Sequence, residues 1–291
     1  GDDARLFNLI SERFELAVKA HKEKRIFLEK LLAIGEDGPL SLLTMNRDGM
    51  PYLRFNLASH LIGMVGLNEM VQIHTGEELH DSKRALKFGV RIIAHTNLLP
   101  DKIKRRDGIK VVLEQTPAES TSYRFARLDL RYFSPASGRV VKGDVSSGEV
   151  YYTNSTHLNV KNHINPIERV TNEGIFHPRI EAGSISHVWL GEARPTKEAI
   201  ADFVIKTFKH TTNDQIAFSP EFTTCNKCNR TSRGLTDTCT YCGSADVDGI
   251  TRITGYFTKI SSWNKGKRGE LKDRYRNTEY FFERKEQAVN E

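Results

Sequence analysis

The strongest constraint on this chain is the placement of its cysteines. It has four, and all lie between residues 225 and 242, as Cys225-x2-Cys228 followed by Cys239-x2-Cys242. Two such knuckles facing each other can set four sulfurs around one ion in tetrahedral geometry. Four thiolates favour zinc or an iron centre over hard cations, and a closed four-sulfur shell leaves no position open for catalysis. The expectation is a structural Zn2+ held by Cys225, Cys228, Cys239 and Cys242. A pair of disulfides and a rubredoxin-like iron site are the competing readings, and the first is disfavoured by the lack of a secretory signal. No cysteine remains elsewhere to serve as a nucleophile or a redox pair.

The rest of the composition narrows the class. At 291 residues the chain makes one large domain or two modest ones. Hydrophobic residues at 38% and charged residues at 27% are ordinary for a globular protein. No run approaches the roughly 20 apolar residues of a membrane helix. The opening GDDARLFNLI has neither a signal sequence nor an initiator Met, so the chain is expected to begin inside a longer coding sequence or at a processed end, and to work in the cytoplasm. The net charge of +6 would suit nucleic acid only if gathered on one face. Acidic and basic residues alternate from Asp246 onward, which reads as a solvated surface. Between the knuckles, NRTSRGLTDT has no aromatic to stack on a base. Neither a membrane nor a nucleic-acid partner is expected.

Apolar residues Leu6, Ile10, Phe14, Ala17, Ile26, Leu28 and Leu31 recur at helical spacing and predict one long amphipathic helix stopped by Gly35. Further helices are predicted over residues 83–96, 120–130 and 197–209, the last capped by Thr196 after Pro195. Residues 111–113, 150–152 and 187–190 read as strands. Strands alternating with helices predict an α/β architecture with a mostly parallel sheet. Residues 102–110, rich in Lys and Arg, read as an exposed loop. The composition changes after Pro220, and a boundary is placed there.

Beyond the last cysteine stand Arg252-Ile253-Thr254-Gly255-Tyr256 and Trp263-Asn264-Lys265-Gly266-Lys267. By local rules Gly255 is a turn glycine. Its setting, just past a four-cysteine ribbon, resembles the radical loop of the glycyl radical enzymes, specifically the anaerobic (class III) ribonucleotide reductases. The blocks Gly66-Leu67-Asn68-Glu69, Glu114-Gln115-Thr116-Pro117-Ala118-Glu119-Ser120, Tyr151-Tyr152-Thr153-Asn154-Ser155 and His187-Val188-Trp189-Leu190-Gly191-Glu192 are similar to that family's blocks and follow the family's order.

The resemblance implies a fold, a chemistry and partners. The fold would be half of a ten-stranded α/β barrel of the glycyl radical enzyme type (residues 1–221), then a zinc ribbon (222–245), then the radical loop and C-terminal tail (246–291). A radical-SAM activase would remove a hydrogen atom from Gly255. Without a Cβ, its α-carbon can become planar between amide and carbonyl and delocalise the unpaired electron. Oxygen would destroy the radical and cut the chain there. In the family the glycyl radical oxidises a cysteine, and the thiyl radical attacks a ribonucleoside triphosphate. All four cysteines here belong to the ribbon, so that cysteine is expected from an upstream, N-terminal part of the reductase. Formate or a thioredoxin-type thiol would supply electrons, and a homodimer is implied.

One more site is expected. The turn before residue 120 offers amides and hydroxyls at a helix start, which suits a phosphate. The segment is similar to the loop that holds substrate phosphates in ribonucleotide reductases, making Ala118, Ser120 and Thr121 candidates; a capped turn without ligand is the alternative. Glu119 would repel a phosphate unless it points away or caps the helix. Asn68, Glu69, Asn154 and His157 read as buried, satisfied polar residues without assigned roles. His163, His177 and His187 have no spacing with carboxylates that argues for a second metal. The alternatives are a pyruvate formate-lyase-like enzyme, which lacks the ribbon before its loop, and a zinc-ribbon binding protein.

Overall fold

A computed structural model describes residues 1–47, 49–278 and 280. The last part of the expected tail, residues 281–291, lies outside the described residues. In chain order the helices are α1 (Asp3–Leu32), α2 (Ser41–Thr44), α3 (Leu67–Thr75), α4 (Lys83–Asn97), α5 (Leu99–Asp107), α6 (Glu119–Tyr132), α7 (Ser134–Ser137), α8 (Pro166–Gly174), α9 (Lys197–His210) and α10 (Lys265–Asp273). The strands are β1 (Asn46–Arg47), β2 (Met50–Pro51), β3 (Ser59–Gly63), β4 (Lys110–Glu114), β5 (Lys142–Asp144), β6 (Glu149–Tyr151), β7 (Ser186–Gly191), β8 (Ile216–Pro220), β9 (Phe222–Cys225), β10 (Thr231–Arg233), β11 (Val247–Arg252) and β12 (Phe257–Lys259). They form two compact units. The first is Gly1–Gly63, Arg91–Glu114 and Arg179–Ala182; the second is Met64–Val90, Gln115–Pro178 and Gly183–Glu291. The boundaries expected near residues 221 and 245 both fall inside the second unit.

In the first unit, α1 starts on Asp2, whose carboxylate accepts from the Arg5 amide at 3.0 Å. The helix is as long as its spacing predicts, but only Phe14 and Val18 are buried, and Leu16, Ile26 and Phe27 are exposed. Strands β3 and β4 pair in parallel from Ser59↔Lys110 to Gly63↔Glu114. Residues 102–110 correct the sequence reading, because 102–107 belong to α5. Pro100 sits in its first turn, and Gly108 ends it in the left-handed region with its amide on the Lys104 carbonyl. The segment's charged side chains are largely exposed, but they decorate a helix whose Ile103 is buried.

The second unit contains a β7-α9-β8 crossover whose strands pair in parallel. Every residue of β7 is buried, the polar Ser186 and His187 included, as in a strand covered on both faces. Thr196 caps α9 as expected, its hydroxyl accepting from the Ala199 amide at 3.2 Å. Val170, Val188, Leu190 and Phe203 pack together at the centre of this crossover. Ala126, Val140, Val150 and Tyr152 make a second core, and Ile253, Trp263 and Leu271 a third.

The mostly parallel sheet needs correction. Among the described residues, parallel pairing is confined to β3 with β4 and β7 with β8. The strands after residue 220 form one antiparallel sheet in the order β10-β9-β11-β12, in which β9 with β10 and β11 with β12 are hairpins on short connections. The charges beyond Asp246 are also not all a solvated face. Lys267, Glu270 and Arg274 are buried, paired with one another at spacings of three and four residues.

Candidate functional site

The antiparallel sheet brings the four cysteines together. Their sulfurs all lie within 4.8 Å of one another, with Cys225–Cys242 at 3.7 Å and Cys228–Cys239 at 3.6 Å. A disulfide needs about 2.05 Å, and all four are free thiols. A tetrahedral ion with metal–sulfur bonds of about 2.3 Å separates its sulfurs by about 3.8 Å, so the donor set fits a four-sulfur metal site. The amides of Cys228 and Tyr241 donate to the sulfurs of Cys225 and Cys239, each at 3.4 Å. Asn226 donates to Asp246 at 2.7 Å and ties the first knuckle to the strand that follows the second.

Strand β11 carries the chain from this cluster to the glycine. It pairs with β9 from Val247↔Cys225 to Ile250↔Phe222, and with β12 from Ile250↔Lys259 to Arg252↔Phe257. Residues 253–256 close the hairpin, with the Ile253 amide on the Tyr256 carbonyl at 3.0 Å. Gly255 is exposed at the tip. Its backbone is not left-handed, and a Cβ there would meet no atom within 4 Å. The turn itself therefore does not demand glycine, which removes the ordinary structural reason for one.

Charged side chains hold the loop. Arg252 Nη1 donates to the Gly255 carbonyl at 2.7 Å. Arg274 donates to the carbonyls of Arg252 and Ile253 at 2.9 and 2.8 Å, and its other bonds go to Glu270. Burial raises the Glu270 carboxyl, but Lys267 and Arg274 outweigh that and lower it. Helix α10, which carries Lys267 and Glu270 and ends just before Arg274, is capped by Asn264 and lies close to β6: a Cβ on Gly266 would stand 2.6 Å from the Val150 carbonyl.

A cavity lies against the inner side of the loop. Ile253, Thr254 and Glu270 line it together with Tyr151, Asn154, His157, Glu173, His187 and Trp189. His187 stacks on Trp189 with ring centres 4.8 Å apart, and both its ring nitrogens are buried without a hydrogen-bond partner. Burial pushes its pKa well below the usual histidine value, so the ring is neutral. Burial would raise the Glu173 carboxyl, but the His157 ring and Arg169 bring it down to about 2.

Ala118 is the N-cap of α6 without a side-chain cap bond, Ser120 is exposed and Thr121 half-buried in the first turn. Glu119 does not cap the helix. Its side chain turns toward Thr254 and Lys267, and burial raises its pKa. Asn264 donates to the Glu119 carbonyl at 3.0 Å, so the start of α6 and the loop share partners. Asn68 and Glu69 are satisfied polar residues: Asn68 accepts from the Leu79 amide at 3.0 Å, and Glu69 from the Thr153 hydroxyl at 2.6 Å. Asn154 and His157 instead face the cavity, and Asn154 Oδ1 has no partner. Sequence reasoning missed His187, Glu173, Arg252 and Arg274. Arg252 and His187 each stood in a family-like block, without an assigned role, while Glu173 and Arg274 have no local signal. Among the described residues no helix is long and apolar enough to cross a membrane.

The chain is 28% identical to the anaerobic ribonucleoside-triphosphate reductase of Escherichia coli over 296 residues, covering 94% of this chain and 40% of that protein. It is 26% identical to the enzyme of that name from enterobacteria phage T4 over 226 residues, covering 73% of this chain and 34% of that one. Among solved structures, the Thermotoga maritima anaerobic ribonucleotide reductase in complex with dATP and CTP superposes with a TM-score of 0.72 at 21% identity, over 91% of this chain and 41% of that one. The chain thus spans about 40% of the length of the Escherichia coli relative. Residues 1–276 match the family described as anaerobic ribonucleoside-triphosphate reductase, and this chain belongs to that family.

Proposed function

We propose that this chain is the radical-bearing, C-terminal part of an anaerobic ribonucleoside-triphosphate reductase, with Gly255 as the radical site. One observation carries the reading: Gly255 is exposed at a hairpin tip where neither its backbone angles nor its surroundings call for glycine, in a family-like Arg-Ile-Thr-Gly-Tyr block. In the proposed step, a carbon-centred radical supplied by a radical-SAM activase takes a hydrogen atom from the Gly255 α-carbon. One C–H bond breaks homolytically and another forms on the abstracting carbon, while the unpaired electron stays on Gly255.

Zn2+ at Cys225, Cys228, Cys239 and Cys242 would be structural, its closed shell bracing the sheet that presents the loop. The start of α6, with Ala118, Ser120 and Thr121, is the proposed seat of the substrate phosphates. The cysteine that becomes the thiyl radical would come from residues outside these 291, in the N-terminal part of the reductase, and formate or a thioredoxin-type thiol would supply the reducing electrons. The family match over residues 1–276 favours this reading over a pyruvate formate-lyase-like enzyme or a zinc-ribbon binding protein.

The test is electron paramagnetic resonance on protein activated under anaerobic conditions. A doublet from the single remaining α-hydrogen is expected, lost in Gly255→Ala with the metal retained. A signal of equal size in Gly255→Ala would place the radical elsewhere.

A further inference from the structure

The glycine does not sit alone at its tip. Arg252 lies across the hairpin base, paired with Phe257, and turns its guanidinium back so that Nη1 donates to the Gly255 carbonyl oxygen at 2.7 Å. The same guanidinium lies 4.7 Å from the centre of the Phe257 ring, which limits how far it can swing. Its own backbone carbonyl is held by Arg274. The carbonyl oxygen of the proposed radical residue is thus in a charge-assisted hydrogen bond, formed within the loop before any chemistry.

An α-carbon radical on glycine is stabilised from two sides. The amide nitrogen donates electron density, and the carbonyl accepts the unpaired electron into its π system. A cation bonded to the carbonyl oxygen strengthens the accepting side, and it does so more for the radical than for the parent glycine, whose α-carbon is not conjugated with that carbonyl. We propose that the Arg252 guanidinium, through its hydrogen bond to the Gly255 carbonyl oxygen, sets the lifetime of the radical at Gly255. This rests on the radical assignment above. It adds a role for a side chain that touches the radical residue itself, and it makes the arginine of the block part of the radical's chemistry as well as of the turn.

The test compares wild-type protein with Arg252→Met, which keeps apolar cover over Phe257 but donates no hydrogen bond, and Arg252→Lys, which keeps a cation. Each is labelled with carbonyl-13C glycine, activated anaerobically and followed by electron paramagnetic resonance, with metal content and amide exchange of residues 250–259 showing that the hairpin is formed. In Arg252→Met the carbonyl-13C coupling is expected to change and the half-life of the radical to fall by about tenfold, the factor carried by about 1.4 kcal/mol. Arg252→Lys is expected to recover part of both. A merely structural role would leave the coupling unmoved. Wild-type coupling and lifetime in a folded Arg252→Met overturn the proposal while leaving the radical assignment intact. Absence of any radical in activated wild-type protein overturns both.

Discussion

The guanidinium carbon of Arg274 stands 3.9 Å from the centre of the Trp189 ring, close enough to stack on it. From that position Arg274 donates to the carbonyls of Arg252 and Ile253, and so fixes the stem of the Gly255 hairpin to the fully buried strand β7. Arg274→Met is expected to loosen that stem and to leave Glu270 with only one of its two cations. Breaking a buried pair of this kind costs about 3 kcal/mol. Denaturant melts and hydrogen exchange should show this stability loss together with faster exchange at residues 252–256; unchanged exchange there would contradict the clamp.

The cysteine cluster predicts linked loss of metal and order. Cys225→Ser and Cys242→Ser should each release the bound metal and expose the β9 to β12 sheet to exchange, because the binding energy of a structural metal is folding energy. Metal analysis is the check. Full stoichiometry in both variants would remove the four-sulfur assignment.

Two glycines separate chemistry from packing. At Gly266 an added Cβ would stand 2.6 Å from the Val150 carbonyl and 2.7 Å from the Tyr123 Cβ, so Gly266→Ala must push α10 away from β6. A loss of about 1–3 kcal/mol is expected. Gly255→Ala meets no such atom and should change stability by less than about 1 kcal/mol. Urea melts of the two variants side by side would show whether the order holds.

Acid should destabilise the second unit through His177. Burial brings its pKa down to about 4 against the opposing pull of Glu173 and Asp214, and Nδ1 accepts from the Asp214 amide at 3.0 Å. An unfolded histidine takes up its proton near about 6.5. Between those values acid favours the unfolded chain, so this contribution is whole above about pH 6.5 and is lost as pH falls toward about 4. Neutral, buried His187 acts in the same direction. From pH 7 to pH 5 the His177 share is about 2 kcal/mol. His177→Gln should flatten the pH dependence of urea midpoints by about that amount, any effect of the metal site being common to both proteins. Identical slopes would contradict it.

What the sequence disclosed was what local chemistry controls. The cysteine spacing, the Thr196 cap of α9, the apolar run of β7 and the length of α1 each carry a signal within a few residues. The segment at 102–110 was misread because its apolar face is only Leu99 and Ile103, one of them outside the charged run, although Pro100 and Gly108 bracket the helix. The buried Lys267, Glu270 and Arg274 were misread for a related reason. Charges three and four residues apart look the same whether water or protein surrounds them, and only the approach of α10 to β6 decides. The cavity joins Asn154, Glu173, His187 and Thr254, which are far apart in the chain, so no spacing rule brings them together.

The radical assignment at Gly255 is tested most directly by mass spectrometry of the source cells grown without oxygen, with extracts compared before and after exposure to air. The account predicts a new backbone cut at Gly255 that appears only after air reaches activated protein. An intact chain after air, with a working activase shown to be present, would contradict it.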